Sequence, residues 1–205
     1  MEHENYFKQI NLALKRIIDL LGSFVGLIVL LPILCIVAIA IKVDSPGPIF
    51  FLQERIGYKG KYFKIIKFRT MVVNAEKIGT GVRVNDANDS RITYIGKILR
   101  KTSLDELPQL INVFLGDMSL VGPRPPVTYH PYQGYDNYPE NIKKRFEMRP
   151  GITGLAQAKV RNTATWDERF VLDIEYIEKF NVALDTAILC NTIIVVLKSK
   201  NIYAK

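Results

Sequence analysis

Apolar residues run uninterrupted by charge from Leu20 to Ile41, LLGSFVGLIVLLPILCIVAIAI, over 22 positions. As a helix this stretch measures about 33 Å, enough to cross a bilayer core. Pro32 stands in its middle, where it removes a backbone hydrogen bond and collides with the carbonyl four residues back. A secretory signal would use Lys15 and Arg16 as basic flank and Ala38-Ile39-Ala40 as cleavage site, but the run is too long for a signal core. A single span stays open. A re-entrant helix–break–helix hinged at Pro32 is favoured. Lys8, Lys15 and Arg16 precede the run, Lys42, Arg55, Lys59 and Lys61 follow it, and basic flanks mark the cytoplasmic side.

Beyond this segment the pattern changes. DSPGPIFF (44–51) is a turn-rich link, and KYFKIIKFRTM (61–71) sets Phe63, Ile65 and Phe68 among Lys64, Lys67 and Arg69, as a short strand does. Residues 74–90 are polar and rich in Asn, Asp and Gly, the composition of a mobile loop. RITYIGKILRK (91–101) spaces Ile92, Ile95, Ile98 and Leu99 at helical intervals. Ser103 with Glu106 matches a capping box for a helix carrying Leu107, Leu110, Ile111, Val113 and Phe114 up to Gly116. Pro108 would move the true start a few residues later. GDMSLVGPRPP (116–126) and RPGITGLAQ (149–157) read as loops, each with an arginine. Residues 163–180 and 184–200 read as amphipathic helices, the second too short in its apolar core to span. There is no internal repeat. The expected fold class is mostly helical α+β, with a membrane-inserted segment at 1–43 and a membrane-associated globular domain at 44–205.

Charge sharpens this picture. Lys and Arg outnumber Asp and Glu 28 to 20, a net +8, which favours an anionic partner. Six of these cations and no acid lie from Arg55 to Arg69. They form either a solvated or lipid-facing surface or a wall that holds phosphate, and both can hold at once. Two cysteines, Cys35 and Cys190, and two histidines exclude a disulfide framework, a cysteine-rich zinc site and His-based triads. Catalysis then falls to carboxylates and to Lys or Arg.

Asp105 and Glu106 stand together in TSLDELPQL. The bland reading is favourable charge in the first turn of a helix. The alternatives are Mg²⁺ binding through oxygen and nucleophilic attack on phosphorus, both suited to carboxylates among cations such as Arg100 and Lys101. No Walker A loop or dinucleotide fingerprint is present. KGKYF (59–63) echoes an RNA-binding strand, but its aromatic pattern fails beyond Phe63, and no nucleic-acid partner is expected.

KFRTM (67–71), TSLDELPQLINVFLGDMSLVGPRP (102–125) and RPGITGLAQ (149–157), in this order, resemble the bacterial sugar transferase family of small monotopic phosphoglycosyl transferases. The resemblance implies transfer of a sugar-1-phosphate from a UDP-sugar to undecaprenyl phosphate, with release of UMP and with Mg²⁺ as cofactor. It implies Asp105 as nucleophile of a phosphosugar–aspartyl intermediate and Glu106 as its partner and Mg²⁺ ligand. It further implies Lys67, Arg100 and Arg124 as phosphate-binding residues, with Asp173 and Arg149 as additional candidates. The family's membrane helix breaks at Ser-Pro, whereas this chain has Leu31-Pro32, so Pro32 alone carries over as hinge. Larger relatives carry an added block of spanning helices, and this chain is expected to be the minimal catalytic unit, on the cytoplasmic face of the bacterial inner membrane. The rival readings are a membrane-anchored basic adapter and a non-catalytic scaffold, either of which would tolerate loss of the acidic pair.

Overall fold

The computed structural model describes residues 2–78, 89–160 and 164–197. Most of the expected loop at 74–90 therefore lies outside the described residues, as do the last positions of the helix expected at 184–200. The architecture is mostly helical α+β with two small sheets.

Helix α1 runs over Glu2–Asp44. Pro32 lies inside it and the helix continues on both sides, so the expected break is not seen there. From Gln9 to Asp44 it is long and apolar enough to cross a membrane. One stripe of α1 nevertheless rests on the rest of the molecule at both ends. Lys15, Asp19 and Ser23 are buried on it toward the N-terminus, and Val37 and Ile41 toward the C-terminus. Within each group these positions recur every four residues, the spacing of one helix face. The opposite face, including Leu21, Val25, Val29, Ile36 and Val43, is bare and apolar.

Two of the expected cytoplasmic flanking charges are thus engaged in the fold. Lys15 Nζ donates to Asp185 Oδ2 at 2.5 Å and to the Val121 carbonyl at 2.7 Å. Arg16 donates to the carbonyls of Val113 and Phe114. At the far end Asp44 Oδ2 accepts from the Ile95 amide, and Val37 and Ile41 pack with Phe68 and Leu99.

Strands β1 (Phe50–Ile56) and β2 (Tyr62–Phe68) form an antiparallel hairpin, Phe50 opposite Phe68 and Ile56 opposite Tyr62. The β2 strand was expected; its partner was not. Helix α2 spans Tyr94–Thr102, with Thr93 Oγ1 accepting from the Gly96 amide as its N-cap. A Cβ on Gly96 would collide with the Thr70 carbonyl, so glycine permits the close approach that brings α2 against the end of β2. Ser103 follows in the left-handed region, then a 3-10 turn Leu104–Glu106, then helix α3, Gln109–Leu115.

The expected capping box does not form. Ser103 makes no side-chain cap bond, and α3 begins only after Pro108, as the proline requires. Gly116 ends α3 with φ 95°, a conformation that a side chain would strain.

The two expected loops contain more order than their composition announces. β3 (Ser119–Val121) and β4 (Gly151–Thr153) pair in parallel, and the short helix α5 (Leu155–Lys159) follows at once. Helix α4 is Glu140–Lys143. Helix α6, Trp166–Lys179, has a complete capping box between Thr165 and Glu168, and α7 is Val182–Leu197. The main core lies where Val121, Met148, Tyr176, Ile177 and Ile188 meet beneath β3 and α7.

Candidate active site

The hairpin, the 3-10 turn, the GPRP segment and α6 enclose a cleft of about 1060 Å³. Asp105, Glu106, Lys67, Arg100 and Arg124 all line it, although they come from four separate stretches of chain. The juxtaposition has a local cause. Asn112 on α3 accepts from the Ile66 amide at 2.9 Å and donates to the Lys64 carbonyl at 2.8 Å. This buried amide takes the place of a third strand along β2, and it fastens the acid-bearing turn beside Lys67. The sequence reading passed over Asn112, which has no local signal.

Glu106 is clamped. Its Oε1 accepts from Lys67 Nζ at 2.6 Å and from Arg124 Nη2 at 3.0 Å. Burial works against its ionisation, yet the charges of Arg124 and Lys67, reinforced by these hydrogen bonds, hold it well below the usual carboxylate range. Glu106 in turn raises Arg124, whereas burial lowers Lys67 despite the attraction of Glu106.

Asp105, the next residue, has neither ion pair nor hydrogen bond on its carboxylate among the described residues. Burial, then repulsion from Glu106, pushes it up to about 6 against the pull of Lys67, Arg100 and Arg124. Adjacent carboxylates with opposite shifts suit different roles. At neutral pH both are ionised, and only Asp105 is free to move onto a ligand.

The surrounding cations divide into two groups. Arg100 is oriented by Thr70, whose Oγ1 accepts from Arg100 Nε at 2.9 Å. Arg55 is held by the Pro125 carbonyl and Gln53; burial, then the like charge of Arg124, lowers it to about 10. Arg55 therefore belongs to the cleft, not to a membrane flank. Arg69 does not serve as a phosphate-holding wall: its guanidinium donates to Ser45 and to the Pro46 carbonyl, closing the C-terminus of α1.

Of the two additional candidates, Asp173 lines the cleft but is already paired, and Arg149 lies outside it. Asp173, 2% exposed, takes two bonds from Arg145 on a single oxygen, Oδ2, at 2.6 and 3.1 Å. Arg145 also donates to the Arg124 carbonyl, so this pair props the GPRP segment from behind. Arg149 lies outside the cleft lining and donates to the Gly116 carbonyl at the end of α3. Arg145 and Arg169 also line the cleft and escaped notice, because a linear pattern does not show that Arg145 meets Asp173 or that Arg169 on α6 faces the same pocket.

Among the described residues no three His, Cys, Asp or Glu side chains gather to form a metal site. Asp105 and the second oxygen of Glu106 remain as two carboxylate donors. That set fits Mg²⁺, which commonly takes one or two carboxylates and completes its shell with water and substrate phosphates.

A family model described as "Bacterial sugar transferase" matches residues 10–199. The chain belongs to the bacterial sugar transferase family. Among similar members, the "Exopolysaccharide production protein PSS" of Rhizobium leguminosarum bv. phaseoli is 41% identical over 191 residues, covering 90% of this chain and 95% of that protein. The "Galactosyl transferase CpsE" of Streptococcus agalactiae serotype III is 41% identical over 202 residues, 94% of this chain and 44% of its own length. The "UDP-glucose:undecaprenyl-phosphate glucose-1-phosphate transferase" of Escherichia coli K12 is 40% identical over 190 residues, 90% of this chain and 40% of its own length. The chain thus spans less than half of the last two relatives.

Proposed function

We propose that this bacterial sugar transferase moves a sugar-1-phosphate from a UDP-sugar to undecaprenyl phosphate, in the synthesis of an exopolysaccharide, capsule or other glycoconjugate. The observation that carries this reading is the unequal acid pair: a free, ionisable Asp105 beside a clamped Glu106 in a cationic cleft. An Asp105 carboxylate oxygen attacks the phosphorus that bears the sugar. The bond from that phosphorus to the UMP oxygen breaks, and UMP leaves with the electron pair. A phosphate oxygen of undecaprenyl phosphate then attacks the same phosphorus, and Asp105 departs as carboxylate. Lys67, Arg100 and Arg124 hold the phosphate charge, and Glu106 keeps Lys67 and Arg124 aimed at it. Mg²⁺ held by Asp105 and Glu106 would neutralise the charge that gathers on the departing UMP phosphate.

The seat of α1 favours a one-sided membrane anchor. Lys15 near one end and Asp44 at the other bind the same body of the protein, and only the opposite face is bare and apolar. We place both ends on the cytoplasmic side, with inner-membrane lipid against the bare face and Pro32 as the point where the helix bends. Single cysteines at positions 3 and 44, with Cys35 and Cys190 removed, should resist impermeant thiol reagents in intact cells. Labelling of one site alone from outside would establish a span.

The reaction is tested by incubating purified protein with undecaprenyl phosphate and a panel of UDP-sugars. One or more should yield UMP and a lipid-linked product, and EDTA should stop the release. Absence of UMP with every donor, from protein that is folded and lipid-reconstituted, would favour the adapter reading.

A further inference from the structure

Three described residues other than glycine have positive φ: Lys59, Asn74 and Ser103. Lys59 lies in the turn joining β1 and β2, and asparagine tolerates the left-handed region well. Ser103 is the exception. At φ 59° and ψ 17° it closes α2, its amide donating to the Arg100 and Leu99 carbonyls, and it opens the turn that bears Asp105 and Glu106. Glycine is the usual occupant of such a helix terminator because it has no Cβ to crowd the backbone.

The serine side chain does nothing for this turn. It caps neither element and makes no hydrogen bond among the described residues, whereas the neighbouring Thr102 hydroxyl bonds back to the carbonyls of Ile98 and Leu99. Ser103 is instead half-buried in the wall of the cleft, two residues before Asp105. A strained residue at a reactive site invites a functional reading when the strained group is itself unused by the fold.

We propose that the Ser103 hydroxyl is a phosphate contact of the transfer reaction. It donates to a non-bridging oxygen of the phosphorus under attack by Asp105. The proposal rests on the reading of Asp105 as nucleophile. A backbone held in one narrow well fixes the Cβ direction, so the hydroxyl is preorganised where charge gathers in the transition state. Lys67, Arg100 and Arg124 provide charge in that cleft, and Ser103 adds a neutral donor from the side of the nucleophile.

Two variants with opposite effects on the backbone separate the hydroxyl from the turn. Ser103→Gly relaxes the left-handed conformation and should keep or raise the melting temperature. Ser103→Ala retains the strain and loses only a hydroxyl that the fold does not use, so it should leave the melting temperature unchanged. The first half-reaction is followed as the burst of UMP from full-length protein and the UDP-sugar that wild type uses, without undecaprenyl phosphate. Both variants should slow this burst by a similar factor, on the order of 10²-fold for loss of one such donor, with KM for the donor little changed. A glycine variant with the wild-type burst rate, or a slow burst in only one of the two, makes Ser103 a helix terminator and overturns the proposal. So does a rise in KM with an unchanged burst rate. Wild type that gives no burst overturns the nucleophile reading itself, and the Ser103 proposal falls with it.

Discussion

Two buried clusters of charge, one under α1 and one in the cleft, differ in completeness. Beneath α1, Lys15 meets Asp185, the other oxygen of Asp185 accepts from Tyr176, and Asp19 accepts from the Ser119 hydroxyl and the Leu120 amide. Burial raises Asp185, and Lys15 and Tyr176 counter it. In the cleft, Glu106 is equally well served, but Asp105 and the Ser103 hydroxyl are not. Groups that serve the architecture satisfy one another, because a buried polar group left alone costs stability. Groups left open within a pocket are those a ligand can complete.

The comparison breaks most visibly at Asp105. Asp105→Asn should lower UMP release by about 10³-fold or more, since an amide cannot replace the nucleophile. The folded carboxyl titrates above its unfolded value, so the folded state holds this proton more tightly and its stability falls as pH rises through about 4 to 6. The Asn variant should lose that slope and melt no lower than wild type at pH 7. Asp105→Asn that unfolds, or that turns over normally, would place this residue with the architectural cluster.

Arg124→Ala is the next test, with an expected loss of about 10²-fold in kcat/KM because the transferring phosphoryl group loses a charged support. Lys15→Ala should show the reverse pattern. It leaves Asp185 buried without its cation and should remove about 3 kcal/mol of stability in denaturant titration, while the protein that remains folded keeps its kcat. Arg149→Ala should change kcat/KM least, within about twofold, because its bond to Gly116 only trims the end of α3.

What could be read from the chain alone follows the range of the forces involved. Helix α1 announces itself through a long unbroken apolar run, and α6 and α7 through amphipathic patterns that contacts within the segment sustain. β3 and β4 are three residues each and exist by pairing with one another across the sequence, so composition suggests loops. The Ser103–Glu106 capping box failed for a related reason: Lys67 and Arg124, distant in sequence, take the Glu106 carboxylate that the local rule assigns to a backbone amide. The site residues Lys67, Arg100, Arg124, Asp105 and Glu106 were named through family resemblance, and they meet in one cleft. Spacing alone could not have paired them. Nor could it have separated Asp173, which completes a buried pair, from Asp105, which does not.

The mass of the intact protein tests the central claim most directly. Wild type mixed with the UDP-sugar that it uses, without undecaprenyl phosphate, and quenched in acid should gain the mass of one sugar phosphate. Undecaprenyl phosphate should discharge it, and peptide mapping should place it on Asp105. Turnover with no adduct under these conditions, or an adduct that persists in Asp105→Asn, would contradict the account.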